Sequence, residues 1–249
     1  METLQDRLGG IMDTAGLSAG ACQELDEAGF TVIPGPVPAA GVNSLCAAYD
    51  AAVASAAPDD IRIGSTTIRV RDLVNRGPEF DGLYLSPPVL EACCRIINQP
   101  FRLSTMHART VPAGRPAQSL HVDFERDGLG WTMVGFIFMV DEFRTDNGAT
   151  RFVPGSHLWP AAPPDLLNDL TSNCPGQVLA CGPAGSMIVF NGSVWHGHTM
   201  NRSGEPRRSI QGAYIRRGAE SGEDLPSRML PETLSRISPL AKYLLAVRA

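Results

Sequence analysis

No run of about 18 apolar residues occurs in the 249-residue sequence, so no segment reads as a membrane-spanning helix. The opening stretch, METLQDRLGG, is acidic and polar and carries no apolar signal region. Six cysteines are present, at Cys22, Cys46, Cys93, Cys94, Cys174 and Cys181, but no CxxC, which excludes a zinc ribbon. Excess basic charge is lacking too: the net charge is −5, which offers no general attraction for nucleic acid. The pairs Arg207-Arg208 and Arg216-Arg217 read as solvated strand ends. Repeats, low-complexity segments and a convincing domain linker are also missing. These absences predict one cytoplasmic protein, monomer or homodimer, with free and mostly buried thiols. They predict neither nucleic acid nor membrane as a partner.

What is present is a chain of two textures. Residues 1–30 carry a helical pattern that includes 19–28 and ends at Gly29, and Phe30–Ile33 is a short β-branched strand. From Ala39 to Ala57, Val42, Leu45, Cys46, Tyr49 and Val53 fall at helical spacing. Residues 58–80 are polar and ambiguous, with Arg62, Arg69 and Arg71 among β-branched residues. Pro87–Ile97 suits a helix opened by proline.

After residue 100 strands dominate. They are expected at Leu103–Val111, Trp131–Val140, Ser186–Phe190 and Arg207–Arg216, and the Asp146-Asn-Gly turn leads into Thr150–Val153. The segment WTMVGFIFMV is apolar on both faces, as in a strand buried on both sides. Residues 158–175, with four prolines, predict a lid-like loop, and Leu234–Val247 an amphipathic helix. Many short strands between Gly/Pro turns point to an all-β sandwich or barrel.

The chemistry centres on His121-Val122-Asp123. On a strand, residues i and i+2 share a face, so imidazole and carboxylate can grip one ion while Val122 enters a core. With five histidines and 15 aspartates, an HxD arises by chance about 0.3 times, so the pair needs support from elsewhere. A third ligand must come from a distant strand, and His107, His157, His196 and His198 are the candidates. Two histidines and one carboxylate on one face of an ion form the facial triad of non-haem Fe(II) oxygenases, whose open positions accept a bidentate cosubstrate and oxygen. A 2-oxo-dicarboxylic acid bound there needs a cation for its far carboxylate. Arg207 and Ser209 share a strand face and can supply a guanidinium and a hydroxyl.

Four segments in order resemble the phytanoyl-CoA dioxygenase family of Fe(II)/2-oxoglutarate-dependent oxygenases. They are GFTVIPG at 29–35, HVD at 121–123, NGATRFVPGSH at 147–157 and WHGHTMNRSGEPRRS at 195–209. In that family the distal histidine precedes the 2-oxoglutarate arginine by eleven residues. That spacing selects His196, with Arg207, over His198. The resemblance implies a mainly β protein with flanking helices, built on a double-stranded β-helix or jelly-roll core. Residues 1–100 would form a mostly helical flank, 101–217 the core and 218–249 a C-terminal helical segment of a single domain. It implies Fe(II) at His121, Asp123 and His196, with 2-oxoglutarate and O2 as cosubstrates. Hydroxylation of a small organic molecule, with release of succinate and CO2, is the default outcome. Desaturation, epoxidation, ring closure and epimerisation use the same chemistry. Halogenating relatives replace the carboxylate with a small residue, and this chain keeps Asp123.

Lesser expectations attach to other residues. Thr150 and His107 are expected at the cosubstrate, and Arg109 shares the face of His107. Phe124, Trp131 and Trp195 are candidate walls of a small-molecule pocket. His157 reads as a structural loop residue, His198 as a residue behind the ligands or facing solvent, and Asn201 and Gly148 as turn formers. No basic cluster suited to a CoA phosphate is evident. The competing readings are a non-catalytic metal-binding jelly roll and a jelly-roll enzyme that uses another metal without 2-oxoglutarate.

Overall fold

The computed structural model describes residues 16–160, 162–221 and 223–247. The helical pattern expected in the first fifteen residues lies outside these. Helix α1, Ala19–Glu27, starts where the Ser18 hydroxyl accepts from the Ala21 amide at 3.1 Å, satisfying one free N–H of the first turn. It buries Ala21 and Leu25 and gives way at Gly29, whose φ of 84° suits glycine. Strand β1 follows at Phe30–Pro34, then α2 at Ala39–Ala54, three residues shorter than expected. The ambiguous stretch resolves into two three-residue strands, β2 (Ile61–Ile63) and β3 (Ile68–Val70), among 3-10 turns. A short α3, Asp81–Tyr84, precedes α4, Pro87–Ile96.

The remaining strands are β4 (Phe101–Val111), β5 (Met133–Met139), β6 (Thr150–Phe152), β7 (Val178–Ala180), β8 (Ser186–Asn191), β9 (His196–His198) and β10 (Arg207–Arg216). A four-residue α5, Pro163–Leu166, interrupts the proline-rich loop. The expected tail helix is two helices, α6 (Pro231–Arg236) and α7 (Pro239–Leu244). Pro239 lacks the N–H needed to continue α6, and the Ser238 hydroxyl instead caps α7.

Two antiparallel sheets face one another as a jelly roll. The major sheet runs β1-β8-β5-β10-β4-β3-β2 and the minor sheet β7-β6-β9. Three strands of the major sheet therefore come from before residue 100, inside the stretch expected to be mostly helical flank. Strand β5 explains its doubly apolar sequence. Val134, Phe136 and Phe138 pack into the larger core against the helices, whereas Ile137 and Met139 point between the sheets with Phe152, Ile188 and Phe190. Each such side chain, fully buried, contributes roughly 1.5–3 kcal/mol. The mouth of the space between the sheets is where the chemistry-bearing residues gather.

Candidate metal centre and its cavity

His121 and His196 face each other across an isolated antiparallel bridge. Each backbone amide donates to the other's carbonyl at 3.0 Å. Residues 121–123 form no strand, contrary to the expectation: His121 alone makes the bridge, and at Asp123 the chain already bends. Asp123 is held instead by its amide, which donates to the Gly192 carbonyl at 2.9 Å. Asp123 Oδ1 lies 3.7 Å from His121 Nε2, and Oδ2 lies 3.6 Å from His196 Nε2. One donor atom from each of the three residues lies within 4.8 Å of the others, close enough to share one ion. Val122 turns inward onto the small cluster of Leu120, Val153 and Trp195.

The far side of each imidazole fixes its tautomer. His121 Nδ1 meets the Ser119 carbonyl at 2.9 Å, and His196 Nδ1 meets the Val194 carbonyl at 3.0 Å. A carbonyl only accepts, so each Nδ1 carries the proton and each Nε2 turns a lone pair toward Asp123. Burial, reinforced by the facing His196, pulls the His121 pKa down to about 4, which keeps this ring neutral near pH 7. The His196 ring is wedged against Phe190 and Phe152, with centroids 4.9 and 5.7 Å away. Between the two histidines of β9, Gly197 leaves room for the chain that leads to His121. A Cβ there would stand 3.0 Å from the Ser119 carbonyl oxygen and 3.1 Å from that of Gln118.

The triad opens on a cavity of about 600 Å³, within the range of small-molecule sites. Arg207 reaches it from β10 and is almost fully buried. Its guanidinium donates to Ser209 Oγ at 3.1 Å and to the Gly148 carbonyl, and its Cζ stacks 4.0 Å above the Phe143 ring. Its Nε has no partner, and among the described residues it forms no ion pair. Burial lowers its pKa to about 10, so it remains a cation near neutrality. Two imidazoles that turn Nε2 toward one carboxylate match a divalent ion of the iron type, and a buried unpaired guanidinium in the same cavity matches one end of a dicarboxylate.

Other expected residues divide clearly. Thr150, His107, Arg109 and Phe124 line the cavity. Ser209 does not; it lies fully buried beside Arg207, and its Oγ also donates to the Arg109 carbonyl at 3.3 Å. Trp131 and Trp195 are not in the cavity wall either. Trp131 packs beneath Arg126, with Cζ 4.8 Å from its ring, and Trp195 is buried edge-on to Trp159. Both are ordinary aromatic packing beside a strand. His198 is buried and faces the cavity rather than bulk solvent, with Nδ1 on the Thr199 carbonyl at 2.8 Å. His157 is structural, its Nε2 on the Asp26 carbonyl at 3.2 Å. Gly148 lies in a turn as expected, whereas Asn201 forms an isolated bridge with Asn147 and acts on the following turn through its side chain. The Asn201 amide donates to the carbonyls of Val111, Pro112 and Glu205, bracing the turn that sets the distance from His196 to Arg207.

Gln118 and Gln211 went unnoticed in the sequence. They accept from Arg109 at 2.7 and 2.8 Å and line the cavity. The alternation Arg207, Ser209, Gln211 marked the second of them. More unexpected is a basic cluster: Arg62, Arg69, Arg71, Arg109 and Arg207 all border this one cavity. Of the six cysteines, which are all free, Cys93 alone is fully buried, four are partly buried and Cys181 is exposed.

A family model for phytanoyl-CoA dioxygenase matches residues 25–209, which include the triad and Arg207. The chain belongs to the phytanoyl-CoA dioxygenase family. Among curated relatives, dioxygenase aneA of Aspergillus aculeatus is 28% identical over 203 residues, 75% of this chain and 65% of that protein. Dioxygenase cdmD of Talaromyces verruculosus is 35% identical over 202 residues, 74% of this chain and 63% of that protein. The chain thus spans less than two thirds of the length of these relatives. Among solved structures, HygX of Streptomyces hygroscopicus, crystallised with nickel, 2-oxoglutarate and hygromycin B, superposes with a TM-score of 0.69. It is 19% identical, over 83% of this chain and 90% of HygX. The 2-oxoglutarate-dependent carbocyclase SnoK from nogalamycin biosynthesis gives a TM-score of 0.67 at 20% identity, over 92% of this chain and 93% of SnoK. These likenesses bear out the jelly-roll fold.

Proposed function

We propose that this protein is an Fe(II)- and 2-oxoglutarate-dependent dioxygenase that oxidises a C–H bond of a small organic molecule in secondary metabolism. The observation that carries the reading is one cavity holding both a His-Asp-His donor set and a buried arginine without an acidic partner. His121, Asp123 and His196 hold the metal, and Arg207 receives the far carboxylate of 2-oxoglutarate. Ser209 and the Gly148 carbonyl fix the guanidinium from behind, while Thr150, His107 and the Arg109–Gln118–Gln211 group flank the cosubstrate. When bound, the metal supplies oxygen activation coupled to decarboxylation of 2-oxoglutarate to succinate and CO2.

The chain's own contribution is orientation and exclusion of water. The Nδ1 contacts hold both imidazoles with Nε2 forward, and Phe190 and Phe152 keep His196 in place. Phe124 and the apolar wall around Met133 shield the reacting end. Hydroxylation is the outcome we assign, and the carbocyclase SnoK keeps ring closure within reach of this fold. No helix among the described residues is long and apolar enough to cross a membrane, and the free thiols support a reducing cytoplasm.

The test is an anaerobic titration of the purified protein with 2-oxoglutarate, with and without Fe(II). Saturable binding that requires Fe(II) is expected. Binding indifferent to Fe(II), or none, would refute the reading.

A further inference from the structure

Strands β2, β3, β4 and β10 lie side by side, and their register aligns one rung of side chains across all four. Arg62 stands opposite Arg69, Arg69 opposite Arg109, and Arg109 opposite Ser209. Directly opposed residues share a face, with Cβ atoms about 4.5–5.5 Å apart, and like charges so placed destabilise a sheet. Here two such pairs follow one another. The rung runs inward from solvent, with Arg62 exposed, Arg69 partly buried and Arg109 buried, and all three border the cavity of the triad.

The acids nearby do not neutralise this rung. The Asp60 carboxylate is shared by Arg71, Arg76 and Arg228 at 3.2, 2.8 and 3.1 Å, and Asp72 pairs with Arg228. Asp59 gives Arg71 its backbone carbonyl. Glu223 lies among Arg69, Arg71 and Arg228 and offsets them only in part, one carboxylate shared among three guanidiniums; burial and Asp72 push its carboxyl above the usual range. Asp123 belongs to the triad. Among the described residues Arg62, Arg69 and Arg109 form no ion pair within 4.0 Å. Arg109 donates only to the two neutral glutamines, and its buried Nε is unpartnered. Its pKa is drawn down to about 9 by burial and by Arg69 and Arg207.

We propose that this rung is the substrate's anchor: the substrate carries an oxyanion, carboxylate or phosphate, that docks on Arg69 between Arg62 and Arg109. This rests on the oxygenase reading, and the anion is not 2-oxoglutarate. Strand β3 is two strands from β10, about 10 Å, so Arg69 serves a different anion from the one at Arg207. The rest of the substrate is apolar, because Phe124, Met133, Ala213 and Ile215 form a patch on the same cavity. Ala213 pairs with Thr105, four residues along β4 from Arg109, so it lies about 13 Å along and about 10 Å across the sheet from Arg69, about 16 Å in all between the two backbones. A fused-ring acid or a phosphorylated ring compound has these dimensions.

The experiment uses protein loaded with Fe(II) and 2-oxoglutarate without oxygen. Four probes sharing one ring system are titrated calorimetrically: 1-naphthylacetate, its methyl ester, 1-naphthyl phosphate and 1-naphthylmethylamine. The anions should bind about tenfold or more tighter than the ester and the amine, the discrimination one charge-assisted hydrogen bond supplies. The tighter of the two anions identifies the oxyanion. Arg69→Lys should keep the anion preference, and Arg69→Glu should shift it to the amine. Anions no better than the ester, binding by none of the probes, or an anion preference that survives Arg69→Glu would overturn the proposal. Because 2-oxoglutarate binding is measured on the same samples, its presence without anion preference defeats this inference alone. Its absence defeats the oxygenase reading as well.

Discussion

At the residue scale, the site depends on what each side chain does with its second functional atom. Arg207 uses two of its nitrogens on Ser209 and Gly148 and so arrives at the cavity already oriented. Replacing it with glutamine removes the charge and the fork, and 2-oxoglutarate affinity should fall by about 10- to 100-fold in an anaerobic titration. Unchanged affinity would assign the cosubstrate to another cation. His107 gives a second prediction. Burial, with Arg69 and Arg109 close by, lowers its pKa from 6.5 to about 3. The unfolded chain takes up this proton near pH 6.5 and the folded chain only near pH 3. The stability contributed is therefore full above pH 6.5 and is lost as pH falls toward 3. The Tm of the metal-free protein should drop between pH 6.5 and 4.5 more steeply for wild type than for His107→Gln, and equal slopes would exonerate His107. Sequence spacing separated His196 from His198, although both border the cavity. The structural reason is the backbone bridge, which places His196 opposite His121 while the His198 carbonyl accepts from Gln118.

At the scale of elements, the longer strands and helices were legible because period and composition agree. Strand β5 is apolar on both faces, β10 alternates, and α4 opens on proline. Apart from β1, the short elements were not legible. Strands β2 and β3 have three residues each, and β3's partner β4, rather than any local preference, makes it a strand. The HVD segment is the converse case: its alternation suits a strand, but only His121 pairs with β9, and the chain bends at Asp123 to meet Gly192.

One element-level device was invisible from sequence. Arg151, on β6, is fully buried and donates to the carbonyls of Gln118, Leu170 and Ser172 and to the Gln177 side chain. It ties the proline-rich loop to the strand-like segment that carries His121, where the Leu120 amide also donates to Leu170. Arg151→Met should strand these neutral acceptors and cost about 1–3 kcal/mol for each one left buried without a donor. Hydrogen exchange at residues 168–177 should accelerate and Fe(II) affinity should weaken. Protection equal to wild type would mean that the loop is held by other contacts.

At the scale of the whole molecule, composition concealed the electrostatics. A net charge of −5 gives no hint of a cationic cavity, yet twenty of the 21 basic residues are arginines, and they are unevenly matched. On the outside, Arg95 pairs with Asp26, Arg216 with Asp127, Arg236 with Asp81, and Arg208 with Asp50 and Asp141. Such surface pairs add little stability, but they use up the acids. Inside, Arg69, Arg109 and Arg207 are left without an ion pair around one cavity, which concentrates positive charge there. Only pairing of β2 and β3 onto β4 brings residues 62 and 69 beside residue 109, so no linear motif could display it.

The central claim is that one fold joins a metal triad to a cosubstrate arginine for oxidative chemistry. The most direct measurement is succinate release from 2-oxoglutarate under air, with Fe(II) and ascorbate, by wild type and by Asp123→Ala. Slow succinate formation by wild type, reduced to the protein-free background in Asp123→Ala, is the predicted result. Equal succinate from both proteins, or none from a wild type that binds Fe(II) and 2-oxoglutarate, would contradict it.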